Sequence, residues 1–174
     1  MLSSPKQQVR PVVDSVERAL KQVSDAWTFL ILREAYFGVK RYGGFLRGTH
    51  AAPNIIADRL KKLVANDLLV KRQYSERPPR FEYHLTQKGL DLYPAIVMLM
   101  RWGDQWLNES QEPPVTLVHK SCSNKLNPNL VCGNCGKTVV ARDVAWFVSE
   151  DYEEMKFNTS VSAMSEALFI LFFC

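Results

Sequence analysis

His119, Cys122, Cys132 and Cys135 follow the spacing His-x2-Cys-x9-Cys-x2-Cys. Two intervening residues let both members of a pair turn inward on a tight knuckle, and Gly133 and Gly136 supply backbone freedom at the second pair. Four soft or borderline donors with no open position suit tetrahedral Zn²⁺ in a structural role, holding together about thirty residues that lack a core of their own. Free thiols and an iron–sulfur centre are the alternatives. Cys132-x-x-Cys135 is also a dithiol spacing, but the strand–helix surroundings of an oxidoreductase are missing. A site that opens on oxidation, and so reports redox state or metal, is compatible with the same thiolates. Zinc catalysis would need an open ligand position with an acid or base beside it, and Glu109, Glu112 and Asp143 are not spaced to provide one. No enzymatic activity is expected.

The second available chemistry is electrostatic. From Arg33 to Arg80 there are 11 Lys or Arg against 4 Asp or Glu, a local charge of +7 that leaves −3 for the rest of a chain whose net charge is +4. Concentrated positive charge favours phosphate contact, although a solvated basic face would look the same by counting. Asn54, Arg59, Lys61 and Lys62 lie on or beside one helical arc, Arg72, Arg77 and Arg80 on or beside a hairpin, and Lys40, Arg41 and Arg47 around a short helix. Asn54 can pair with an adenine edge or cap its helix. The lysines and arginines can reach bases or phosphates, and a guanidinium on the hairpin can enter a narrow minor groove.

Asp14-Ser15-Val16-Glu17 has the form of a capping box with Asp14 as cap, and Val16, Leu20 and Val23 then recur at helical spacing, which predicts a helix over 15–23. Trp27 to Phe37 is apolar nearly all round, with Asp25 as its cap and Gly38 as its stop, as for a helix central to a core. A short helix is expected over 44–47, weakened by Gly43-Gly44. Pro53 and Asn54 open a stronger helix to about residue 66, with Ile55, Ile56, Leu60, Leu63 and Val64 on one arc and Asn54, Ala57, Asp58, Lys61 and Lys62 opposite. Leu68 to Tyr74 reads as a strand, 75–80 as a proline-stiffened tip unable to continue it, and Phe81 to Leu85 as a returning strand of strict alternation. Thr86 caps a long helix to Leu107, bent by Pro94; Glu112-Pro113-Pro114 marks a linker, and the tail from Tyr152 has no evident pattern.

This order predicts a mainly α fold with a β-hairpin wing (α+β), a winged helix-turn-helix, plus a small C-terminal Cys/His zinc-ribbon-like module. Expected divisions are 12–110 for DNA binding and dimerisation, 115–145 for the module, and 146–174 for the tail. A helix about 10–12 Å across fits a major groove about 12 Å wide, with a hairpin lying alongside on the backbone or minor groove. Helix 53–66 is the expected reader and residues 69–85 the wing. Val16, Leu20, Tyr93, Val97, Met100, Trp102 and Trp106 offer more apolar surface than one small domain covers, so packing against a second copy is expected.

Val16 to Leu20, Ser24 to Glu34, Asp58 to Leu63, Glu82 to Gly89 and Arg101 to Trp106 together resemble the HxlR-type branch of the MarR-like bacterial regulators, over about residues 12–107. The resemblance implies a homodimeric winged-helix transcription factor whose first and last long helices form the dimer interface. Two readers would then meet half-sites about 34 Å apart on a roughly palindromic duplex, and a small-molecule effector fits the same scheme. Many members carry a thiol just before the first helix; Asp14 and Ser15 stand there in this chain, so a thiol switch at that position is not expected. The N-terminus lacks the apolar core of a secretory signal, and the apolar run Ala167 to Cys174 is far shorter than the ~20 residues needed to cross a bilayer. Crowded cysteines fit a reducing cytoplasm. The reading from another class is a protein-interaction adaptor that keeps the same scaffold.

Overall fold

Asp25 starts the helix around which the rest is built. Its carboxylate accepts from the Thr28 backbone N–H at 3.0 Å and from Thr28 Oγ1 at 3.2 Å, satisfying a donor that the first helical turn cannot. The computed structural model describes residues 15–23, 25–109 and 112–145. Helix α1 spans Ser15–Val23 and α2 Ala26–Tyr36; Asp14, expected as the α1 cap, and the tail 146–174 lie outside the described residues. Phe37 and Gly38 close α2 through bonds to the Arg33 and Ala35 carbonyls, and Gly38 takes φ 91°, a conformation that favours glycine. Ile31 and Leu32 are fully buried, whereas Trp27 and Phe37 at the two ends reach solvent, so only the middle of α2 is central to the core.

Helix α3 spans Tyr42–Thr49, longer than the expected turn. Its glycines are tolerated because space requires one of them: a Cβ at Gly44 would stand 2.7 Å from Val39 Cγ1. Helix α4, Pro53–Ala65, then crosses α2 and α3, completing a helix-turn-helix. Ile56, Leu60 and Leu63 join Ile31, Leu32, Phe45 and Leu69 as the largest fully buried side chains, with Ile55 and Val64 at the margin. Each such side chain contributes roughly 2 kcal/mol by leaving water.

Strands β1, Leu69–Glu76, and β2, Pro79–Leu85, form an antiparallel wing. The ladder continues to Glu76↔Pro79, so residues 75–80 are not the broad non-strand tip that the prolines suggested. A two-stranded ribbon leaves outer N–H positions unused, and proline is harmless there. The alternation of Phe81 to Leu85 is kept in the returning strand: Tyr83 and Leu85 pack against the core, while Tyr83 N–H bonds the Lys40 carbonyl at 2.8 Å and Arg41 forms an isolated bridge to Glu82 at the edge.

The single bent helix expected from Thr86 to Leu107 is two helices, α5 (Gln87–Asp91) and α6 (Tyr93–Trp106). Pro94 has no N–H to give the Leu90 carbonyl, and the chain breaks at Leu92. Thr86 caps α5 as expected, accepting from Gly89 N–H at 3.1 Å. Ile96 and Val97 bury the inner side of α6.

Beyond α6, β3 (Val118–His119) and β4 (Asn124–Lys125) form a small hairpin, followed by a Val131↔Thr138 bridge and a 3-10 turn, Ala141–Asp143. Arg101 of α6 reaches this segment, donating to the Pro128 carbonyl and, at 2.6 Å, to Asn129 Oδ1. No helix of the described residues is long and apolar enough to cross a membrane.

Tyr36 ties α2 to α5 and α6: its hydroxyl donates to the Gly89 carbonyl, and its ring meets Tyr93 edge-on at 4.9 Å. Burial, then the neighbouring Tyr93, pushes the Tyr36 phenol from 10.0 to about 12. A raised pKa means that the neutral form is favoured in the fold. This stabilisation is therefore complete below pH 10 and is lost as pH rises through about 12. In an alkaline absorbance titration, Tyr36→Phe should remove the latest phenolate transition and flatten the loss of thermal stability over that window; an unchanged profile would refute the assignment.

Candidate nucleic-acid interface

The outer face of α4 is free of the core. Asn54, Ala57, Asp58, Lys61 and Lys62 are all exposed. The helix begins from Ala52 with no side-chain cap, so Asn54, one residue inside it after Pro53, does not serve as the cap. Lys62 Nζ lies 3.1 Å from Asp58, whose carboxyl it holds below the usual range with help from Arg59. The pair is exposed and contributes little to stability.

Arg59 departs from the expected set of DNA contacts. Its side chain is only 19% exposed; Nε is buried 2.7 Å from Asp25 Oδ2, an ion pair whose N–H is not aimed for a hydrogen bond, and Nη1 meets Asp58. Asp25 thus caps α2 and anchors α4. Arg59 positions the α4 helix, and its charge is already matched within the chain.

On the wing, Arg72, Arg77 and Arg80 are exposed as expected. Arg72 lies opposite Glu82, but that carboxylate is engaged by Arg41 Nε at 2.9 Å and His84 Nε2 at 3.3 Å. The Arg41 bond is the main cause that holds the Glu82 carboxyl low and raises the Arg41 guanidinium. Tyr74 occupies the irregularity between Gln73 and Ser75, and the Arg41 guanidinium sits 4.5 Å from its ring centroid. Lys71 covers Phe81 in the same way at 3.9 Å. Between α3 and the wing lies a cleft of roughly 470 Å³ that brings Arg41, Arg47 and Arg80 together with Tyr74, Phe81 and Tyr83. Charge counting marks the arginines; the aromatic partners and the bridging Glu82 have no signal in local spacing.

A second exposed surface is apolar. Val16 and Leu20 of α1 face solvent, as do Leu99, Trp102 and Trp106 of α6, the two tryptophans at 53% and 67%. Tyr93 is partly exposed. Val97, expected on this surface, is buried inside the chain, and Met100 is half-buried beside the C-terminal hairpin. Leu99 takes their place, since 99, 102 and 106 follow one stripe at helical spacing.

The four Cys/His positions are presented as two pairs. Cys122 Sγ lies 3.4 Å from His119 Nδ1, with Ser121 Oγ beside the same ring at 3.1 Å. At the other pair the Cys132 thiol is pulled down, first by the Cys135 backbone N–H and then by that of Asn134. Cys122, Cys132 and Cys135 are free of disulfides. Among the described residues no three His, Cys, Asp or Glu side chains form a group that could hold a metal.

A helix-turn-helix with one polar helix turned outward and a basic wing beside it defines a transcriptional regulator of the winged-helix class. The chain belongs to the HxlR-like helix-turn-helix family, whose model matches residues 22–111. It is 44% identical over 131 residues to an uncharacterised HTH-type transcriptional regulator of Mycobacterium tuberculosis, Rv3095, covering 75% of this chain and 83% of that one. Among solved structures it resembles PA1607, a proposed transcription factor, with TM-score 0.70 and 32% identity, covering 80% of this chain and 96% of that one. It also resembles a MarR-family regulator of Porphyromonas gingivalis, with TM-score 0.51 and 28% identity, over 57% of this chain and 99% of that one. The winged helix is little more than half of the chain, so the PA1607 likeness extends into the C-terminal segment. All three relatives are described as regulators of transcription.

Proposed function

We propose that the chain binds duplex DNA with sequence preference as a homodimer, with α4 in the major groove and the wing on the adjoining backbone or minor groove. The observation that carries this reading is the outward face of α4, uncapped and unburied, flanked by a cleft that collects three guanidiniums. Asn54 reads a base edge, Lys61 and Lys62 reach bases or phosphates, and Arg47, Arg72, Arg77 and Arg80 hold phosphates. The apolar stripes of α1 and α6 pair two copies across a two-fold axis, which places the readers on a palindromic operator with half-sites about 34 Å apart. A cavity of about 300 Å³ between α6 and the C-terminal hairpin, with Val97, Met100, Arg101, Asp104 and Leu126 in its walls, is where a small effector would reach the dimer helix.

Selection of bound duplexes from a random pool, followed by affinities at several salt concentrations, tests the reading. The log–log salt slope should be several units. Asn54→Ala should lose roughly 1–3 kcal/mol of discrimination at one base pair, about 5- to 150-fold. Arg77→Ala should weaken all duplexes alike and lower the slope by about 1. A flat salt profile with both variants indistinguishable from wild type would turn the interpretation toward a protein-binding adaptor.

A further inference from the structure

We infer that His119, Cys122, Cys132 and Cys135 close around one Zn²⁺ ion, and that this ion is the missing core of the C-terminal segment. Residues 112–145 hold a paired hairpin, a second bridge and a 3-10 turn, yet none of them is buried. A segment of that size without a core does not keep a defined chain path on hydrogen bonds exposed to water; a metal crosslink supplies what burial does not.

The spacing of the first pair fits the ion, and the second pair is built on the same backbone plan. Zinc takes Cys sulfur at about 2.3 Å and His nitrogen at about 2.0–2.1 Å, so two such ligands at a tetrahedral angle stand about 3.5 Å apart. Cys122 Sγ and His119 Nδ1 are 3.4 Å apart. This first knuckle is shaped by the His119↔Asn124 pairing, by Ser123 N–H bonding the His119 carbonyl at 2.8 Å, and by Ser123 at φ 57°. The second follows the same plan: Gly136 N–H bonds the Cys132 carbonyl at 2.8 Å, Cys132 N–H bonds the Lys137 carbonyl at 2.9 Å, and Gly136 takes φ 69°. Since the two pairs are not gathered into one group, the ion must draw the finished knuckles together. Three thiol protons leave to solvent as three thiolates and a neutral imidazole take their places on the metal. With no position left for water, the role is structural. Arg101, bonded to Pro128 and Asn129, then fixes the closed module on α6.

The test uses the full chain, purified without chelator. Elemental analysis should find about one zinc per chain, and three of the four thiols should resist a thiol reagent until a strong chelator is added. Cys122→Ser, Cys135→Ser and His119→Ala should each cut bound zinc at least tenfold while keeping the circular dichroism of the winged helix; Ser121→Ala should retain the metal. Cys122 and Cys135 are exposed, so without a metal they would react at once. Rapid reaction of all thiols in wild type with negligible zinc, iron in place of zinc, or full zinc content in the three ligand variants would each overturn the proposal. The thiol readout on wild type stands even if a ligand variant misfolds.

Discussion

Trp102→Glu should convert the proposed dimer into a folded monomer and lower operator affinity by about two orders of magnitude or more. Trp102 is 53% exposed and Trp106 67% exposed on a stripe that also holds Leu99, so their removal costs the core of one protomer little. In a two-fold pairing each tryptophan meets its partner's surface and hides up to roughly 150–250 Å² of apolar area. A carboxylate there would be buried without a counter-charge, twice over by symmetry. Linked readers bind a two-part operator more tightly than one reader by about 10²–10⁴-fold, and a monomer forfeits that gain. Sedimentation analysis reads the state, and a duplex titration reads the affinity. Leu99→Glu should repeat both effects. A variant that stays dimeric, or a monomer with wild-type affinity, would disprove the arrangement.

Gly89→Ala is expected to destabilise the fold by about 3 kcal/mol, against the sign that helix propensity assigns. In an open helical position alanine is favoured over glycine by roughly 0.5–1 kcal/mol. Here an added Cβ would overlap the Leu68 carbonyl oxygen and stand 3.1 Å from Leu85 Cδ2. The first obstacle is backbone, which no rotamer change relieves. The contact is close because α5 is clamped onto the α4–β1 turn. Thr86 Oγ1 donates to the Asp67 carbonyl at 2.6 Å, Lys88 Nζ to the Asn66 carbonyl at 2.9 Å, and Tyr36 to Gly89 itself. Overpacking of this kind costs about 1–3 kcal/mol or more, which outweighs propensity. At about 2–4 °C per kcal/mol for a chain of this size, the midpoint of thermal unfolding should fall by roughly 6–12 °C. A midpoint equal to or above wild type would mean that the joint yields more easily than its bonds imply. Gly103, also helical and with nothing within 4 Å of an added Cβ, is the matched comparison at which alanine should not clash.

The elements of this regulator are legible wherever a signal repeats at short range. Asp25 and Thr86 act as the caps their positions suggest, and α4 separates Ile56, Leu60 and Leu63 from Asn54 and Lys61 as periodicity requires. The His119–Cys122 and Cys132–Cys135 pairs stand on tight turns, as their two-residue spacing and the glycine after the second pair permit. Each feature depends on residues within about one or two turns of each other, where backbone geometry is the main constraint.

Tertiary structure decided which charges and apolar groups remain available. Arg59 and Lys61 share a helix and a charge, but only Arg59 lies against Asp25, 34 positions earlier, and is consumed there. Val97 and Leu99 are both apolar residues of α6; packing against the rest of the chain takes the first and leaves the second to solvent. Arg41, Tyr74 and Glu82 come together only when the wing folds back over α3. Local spacing specifies what a residue can do. Whether that capacity is spent inside the chain or offered to a partner depends on contacts between distant segments, which no short window of sequence contains.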